Sequence, residues 1–172
     1  MPLLAEIGGE IRYRGEPVGV VAAKTLELAA EAAKRIRIDI DELPPLLTLE
    51  EAVAIFKATP EKLDSLKNQS IEKGDLAAGF AAADEIVEAE YRAGHQEQLY
   101  LENQGLVVFP QKDGSILSEG SIQCPYFPTH ELNSPLNLPP EKIRVRQTPI
   151  GGAFGGKEDY PTMLTGYAAL PA

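Results

Sequence analysis

The sequence predicts an α+β fold, and three observations carry that expectation. An N-terminal block alternates strand-like and helix-like periodicities. A polar stretch without a clear period then interrupts the chain over residues 59–75. Beyond it come strand patterns, a hairpin turn signal and a glycine-rich loop that feeds an apolar helix. The expected organisation is a first domain over 1–58, a linker over 59–75 and a second domain over 76–172.

In order, "IRYRGEPVGVVAA" reads as two short strands around a Gly15-Glu16-Pro17 turn. "TLELAAEAAKRIR" follows as an alanine-rich helix, with Leu26, Ala29, Ala30 and Ala33 on one face. In "RIRIDIDEL", Ile36, Ile38 and Ile40 alternate with charges, the pattern of a half-buried strand. Strand, helix and strand so close together suggest a βαβ unit. "TLEEAVAIF" starts a helix with a capping box, Thr48 standing three residues before Glu51. Past the linker, "DLAAGFAAAD" reads as a short helix capped by Asp75, and "EIVEAEYRA" as a strand. "LENQGLVVFPQKDGSILSEGS" reads as a hairpin turning at Asp113-Gly114. A short helix, a proline-broken loop and a strand over Ile143–Gln147 come next. "YPTMLTGYAAL" begins a final helix with Pro161 in its first turn. Its apolar end, and an opening that starts at a strand, suggest a fragment or part of a subunit.

Composition narrows the function. Of 172 residues, 44% are hydrophobic and 24% charged, ordinary for a globular chain. The 16 Lys and Arg are scattered among 26 acids, giving a net charge of −10 and no basic stripe for nucleic acid or an anionic membrane. No apolar run is long enough to span a bilayer. The opening lacks a basic stretch before an apolar one, so no secretory leader is expected and the cytoplasm is the default compartment. A single cysteine, Cys124, excludes an internal disulfide framework and a cysteine-rich metal site.

The most informative stretch is "TPIGGAFGGKED". Gly151 to Lys157 fits G-x-x-x-x-G-K, most of a phosphate-cradling loop. The next residue should be Ser or Thr, yet it is Glu158, followed by Asp159, and two carboxylates repel a polyphosphate. The spacing also fails the dinucleotide fingerprint. What the loop offers is backbone, because Gly151, Gly152, Gly155 and Gly156 lack Cβ and let amides approach a ligand closely. Phe154 adds an apolar plate and Glu158 a carboxylate just after the bend. A turn whose glycines permit positive φ, with Phe154 filling the core, accounts for the pattern equally well. Lys157 is read as incidental. Gln123 is a neutral donor and acceptor suited to an oxo or carbonyl group. Cys124 could act as a nucleophile with His95 or His130, but a buried small apolar residue is the plainer reading. No metal-ligand spacing is present.

Taken together, these segments resemble one family. "YRGEPVGVVAAKTLELAAEAAKRIRIDIDELPPLLTLEEAV" resembles the small α/β hammerhead-type domain of the xanthine dehydrogenase/aldehyde oxidase family of molybdenum hydroxylases. "GHQEQLYLENQGLVVFPQKDGSILSEGSIQCPYFPTHEL" and "LNLPPEKIRVRQTPIGGAFGGKEDYPTMLTGYAAL" resemble the first part of its molybdopterin-binding region. The resemblance implies that Gln123 hydrogen-bonds an oxo ligand near molybdenum, that Phe154 and Gly155 contact the cofactor, and that Glu158 orients a heterocyclic substrate. Glu102, in "YLE", looks structural. The implied cofactor is molybdopterin or its cytosine dinucleotide, with 2Fe-2S and FAD on partner subunits or domains. The implied partners are the remainder of the molybdenum subunit and those electron-transfer subunits, in an oligomer. The implied reaction places a water-derived oxygen on an N-heterocycle or an aldehyde. The family's essential glutamate base falls beyond Ala172, so this chain alone is expected to be inactive. A non-catalytic module that keeps the fold is the alternative. Two departures stand out: Ala153 replaces a family glycine, and "LENQ" replaces "LEPQ".

Overall fold

A computed structural model describes residues 3–60, 67 and 69–172. Residues 61–66 and 68 of the expected linker lie outside the described residues. The chain forms two compact units, one of Met1–Arg37 with His95–Ala172 and the other of Ile38–Gly94.

In the larger unit, the hairpin forms where its turn signal stands. Strands β1 (Leu106–Pro110) and β2 (Ile116–Gly120) pair antiparallel, with Leu106 opposite Gly120 and Pro110 opposite Ile116. Gly114 takes φ +76°, which an L side chain resists, and its N–H donates to Gln111 O at 3.0 Å. Asp113 locks the same turn by accepting from Ser115 N and Ser115 Oγ at 3.0 and 2.6 Å. Strand β3 (Ile143–Gln147) pairs with β2 in parallel, Ile116 opposite Ile143, so the sheet order is β1-β2-β3. Parallel neighbours require a crossover, supplied here by helix α4 (Tyr126–Glu131) and the short α5 (Asn133–Leu136). The βαβ unit expected at the N-terminus does not form, because neither of its strands does, and the parallel crossover in the larger unit is β2-α4-β3.

Helix α6 (Tyr160–Ala169) packs against β1 and α4, with Pro161 in its first turn as expected. Ile116, Leu132 and Ile143 form the core, joined by Leu3, Val108, Leu136, Leu138 and Ala169. Ser118 and Thr165 satisfy each other in the interior at 2.9 Å.

Helix α1 (Leu26–Lys34) also belongs to this unit, with Thr25 Oγ1 accepting from Leu28 N. Its expected apolar face is not buried: Leu26 and Ala30 are exposed and only Ala29 is half-buried. The turn near Gly15 forms, with φ +91°, but no strands flank it.

The smaller unit carries helices α2 (Leu49–Ala58) and α3 (Leu76–Ala82). The Thr48–Glu51 capping box is complete in both directions, and Asp75 Oδ1 accepts from Ala78 N at 2.9 Å. The strands expected around Ile36–Ile40 and over residues 85–93 do not form. Ile36, Ile38, Ile40, Ile86 and Val87 are all exposed. Alternation identifies an amphipathic segment, but a strand exists only when a second edge supplies its hydrogen bonds.

Candidate functional site

The glycine loop lies between β3 and α6, and its two ends are anchored differently. At its start, Gly151 N donates to Glu102 Oε2 at 2.8 Å, and Glu102 N donates to Gly151 O at 3.2 Å. At its end, Gln123 and Lys157 share a two-point bridge. Gln123 N donates to Lys157 O at 2.7 Å, and Lys157 N donates to Gln123 Oε1 at 3.2 Å. The segment leaving β2 and the close of the loop are thus brought together.

Between these anchors the backbone is unusual. Gly152, Phe154 and Gly155 take φ of +94°, +51° and +90°. Phe154 is a non-glycine residue in the left-handed region and is 78% exposed, so it does not fill the core. Ala153 is buried and is not among the positive-φ residues, which explains why alanine is tolerated at this position of the loop. Among the described residues, the N–H groups of Gly152, Ala153, Phe154 and Gly155 have no protein acceptor. Consecutive free amides in such a bend suit an anion or an electron-rich ligand.

The side chains at the rim fit the same reading. Because Gln123 Oε1 is taken by Lys157 N, its Nε2 is left as a donor without a partner among the described residues. Glu158 is half-buried and makes no hydrogen bond or ion pair among the described residues. Cys124 is partly buried, and burial, followed by the Glu158 and Asp159 carboxylates, pushes its thiol pKa up. That disfavours the thiolate, and neither His95 nor His130 hydrogen-bonds it among the described residues, so the nucleophile reading loses its basis.

Lys157 is not incidental, and this corrects the sequence-based expectation. It is the largest fully buried side chain, 0% exposed. Its Nζ donates to Glu102 Oε2 at 2.8 Å and to Ser121 Oγ at 3.0 Å, and lies 4.8 Å from the Tyr100 ring centroid. Ser121 Oγ in turn donates to Glu102 Oε2 at 2.6 Å. A lysine so engaged cannot reach a bound phosphate, and the phosphate-loop reading ends there.

Tyr100, Glu102 and Gln104 alternate along one segment and all serve the loop. A Cβ on Gly156 would collide with the Tyr100 ring, while Gln104 Nε2 donates to Tyr100 Oη at 2.9 Å and to Gly156 O at 2.5 Å. Sequence reasoning missed this backing. The available signal was the alternation in "YLENQ", but its partners stand about fifty residues away along the chain.

The hydrogen bonds from Lys157 and Ser121, then Gly151 N–H, hold the Glu102 carboxyl at about 2, below its ordinary 4.5. A depressed carboxylate stabilises the fold above its unfolded-state value and loses that contribution as pH falls through the folded one. Glu102 should therefore stabilise fully above about 4.5 and progressively less towards about 2. Water reaches this carboxylate and reduces the effect. Acid titration followed by circular dichroism should show Glu102→Gln with a flatter stability profile across that window than the parent. Identical slopes would remove Glu102 from the acid response.

Among the described residues, no group of three or more His, Cys, Asp or Glu is arranged to hold a metal ion. No helix among them is long and apolar enough to cross a membrane.

Known proteins place this geometry in context. Residues 57–172 match the family model of the molybdopterin cofactor-binding domain. A probable xanthine dehydrogenase subunit from Bacillus subtilis (strain 168) is 33% identical over 172 residues, covering 99% of this chain and 23% of that protein. "Xanthine dehydrogenase/oxidase" of Gallus gallus is 37% identical over 161 residues, 92% of this chain and 11% of that protein. "Aldehyde oxidase 4" of Mus musculus is 35% identical over 178 residues, 95% of this chain and 12% of that protein. The chain thus spans less than a quarter of the length of these relatives. With a family match over most of its length and such relatives along nearly all of it, the chain belongs to the molybdopterin cofactor-binding domain family, which it shares with xanthine dehydrogenases and aldehyde oxidases.

Proposed function

We propose that this chain forms one wall of a molybdenum-cofactor pocket in an oxidoreductase acting on a purine-like N-heterocycle or an aldehyde. The observation that carries the reading is the run of N–H groups from Gly152 to Gly155 that have no partner among the described residues, flanked by the Nε2 of Gln123 and the carboxylate of Glu158, which have none among them either. When bound, the cofactor would supply the redox centre at which a substrate C–H gives way to a bond with water-derived oxygen. The protein's part is to bind and orient. Gln123 Nε2 would donate to an oxygen ligand of the metal, and Phe154 and Gly155 would bound the cofactor. Glu158 would accept from ring N–H groups of a substrate, which favours a heterocycle over a simple aldehyde. None of these residues is assigned the reaction's base.

The same reading extends to the whole protein. Residues 1–58 would form the hammerhead-type domain, 59–75 the linker, and 76–172 the first part of the cofactor domain. The cofactor would be molybdopterin or its cytosine dinucleotide. Partners would be the remainder of the molybdenum subunit and subunits holding 2Fe-2S and FAD, in a cytoplasmic oligomer.

Two substitutions test the roles separately, in protein produced with its neighbouring polypeptides. Gln123→Leu should lower the molybdenum content of the purified protein. Glu158→Gln should leave molybdenum content unchanged and lower kcat/KM for an N-heterocycle by roughly 10- to 100-fold, the worth of one charge-assisted hydrogen bond. Unchanged kcat/KM in Glu158→Gln would remove Glu158 from substrate recognition.

A further inference from the structure

We infer that Glu102 and Lys157 are positioning residues that hold the glycine loop in its ligand-ready bend before any ligand arrives. The inference rests on the reading that this loop faces the cofactor, but its own support is separate. One carboxylate oxygen, Glu102 Oε2, accepts from Gly151 N, Ser121 Oγ and Lys157 Nζ. The loop's first amide and the side chain of its last residue are therefore tied to a single atom. Lys157 closes the tie from the other end, because its backbone bridges to Gln123 while its ammonium is buried.

Between the two anchors the N–H groups of Gly152, Ala153, Phe154 and Gly155 have no protein acceptor among the described residues, the bond from Gly156 N to Ala153 O at 2.8 Å is local to the bend, and three residues sit at positive φ. Such a backbone keeps one shape only when its ends are fixed. Fixing them in advance spares the ligand the ordering cost at binding. Gln104, holding Gly156 O, adds a third restraint from the same segment.

The arrangement is directional. Glu102 must be the carboxylate, because only an acceptor can also receive Gly151 N–H. Exchanging the two charges would restore an ion pair but point an ammonium at that N–H. An ordinary stabilising salt bridge would survive the exchange, whereas a positioning pair would not.

The experiment compares the parent, Glu102→Gln and the double variant Glu102→Lys/Lys157→Glu, each produced with its neighbouring polypeptides. Two quantities are read: hydrogen–deuterium exchange at the loop amides that are hydrogen-bonded in the parent, Gly156 and Lys157, and the rate at which molybdenum is lost on dilution. Glu102→Gln should speed both by about tenfold, the worth of one lost charge-assisted bond, with exchange over 106–120 unchanged. The double variant should rescue neither. Parent-like loop exchange in Glu102→Gln, or rescue of both readouts by the double variant, would overturn the inference. Should Glu102→Gln not fold, Ser121→Ala removes only the bridging hydroxyl; roughly threefold faster loop exchange is expected, and no change overturns the proposal. A parent protein without molybdenum would defeat the cofactor reading, yet loop exchange would still decide this one.

Discussion

Replacing Gly120 by alanine is expected to lower the melting temperature by roughly 5–10 °C and to disturb the site beside it. Gly120 ends β2 directly opposite Leu106. A Cβ there would stand 2.5 Å from Leu106 Cβ, 2.6 Å from Gly105 O and 2.8 Å from Leu106 Cα. Two of those three atoms are backbone, so no rotamer change relieves the clash and the β1-β2 edge must open. Overpacking of this kind costs about 1–3 kcal/mol and sometimes more. Ser121, Ile122 and Gln123 follow immediately, so the displacement reaches the Lys157 bridge and the Gln123 amide. Gly105→Ala is the matched control, since it has open space around it and no positive φ. It should stay within about 0.5 kcal/mol of the parent. Thermal unfolding of both variants checks the contrast. Equal melting temperatures would mean that β1 yields without cost.

The second large effect concerns the buried lysine. Lys157→Ala should cost about 3 kcal/mol, because it empties a space filled by a fully buried four-carbon stem. Lys157→Met should cost less, since it keeps the volume and leaves behind a carboxylate that water can reach. Glu102→Ala removes the partner from the other side and leaves the ammonium, among the described residues, with Ser121 Oγ and the Tyr100 ring beside it. An uncompensated buried charge is the worse outcome, so Glu102→Ala should destabilise more than Lys157→Met. Denaturant unfolding of the two variants checks the order. The reverse order would show that Lys157 finds solvent when Glu102 is gone.

Local features were legible in the sequence because they are set by neighbours in the chain. The Thr48–Glu51 capping box, the Asp75 cap, the Asp113-Gly114 turn and Pro161 at the start of α6 each involve residues within a few positions of one another. The strand at Ile143–Gln147 was legible as a strand, but its parallel place beside β2 was not, since that depends on a crossover. The strand patterns at Ile36–Ile40 and 85–93 misled for the complementary reason. They record which faces are apolar and say nothing about an edge to pair with.

The site divides along the same line. Gln123, Phe154, Gly155 and Glu158 stood out because their residue types suggest ligand contacts. Lys157 was misjudged because its meaning lies in Glu102, fifty-five positions away. A lysine at the end of a glycine run suggests phosphate until its acceptor is seen. Once Glu102 holds it, the free chemistry of the loop is backbone N–H, a glutamine amide and one carboxylate. That set is what the proposed pocket would use, and the chain belongs to a molybdopterin cofactor-binding domain family.

Molybdenum and pterin analysis of the protein, produced with its neighbouring polypeptides, tests the central claim most directly. The account predicts molybdenum and pterin in near-stoichiometric amounts in the parent and a clear loss of both in Gln123→Leu. A well-folded parent assembly without either, or a Gln123→Leu protein that holds as much as the parent, would contradict it.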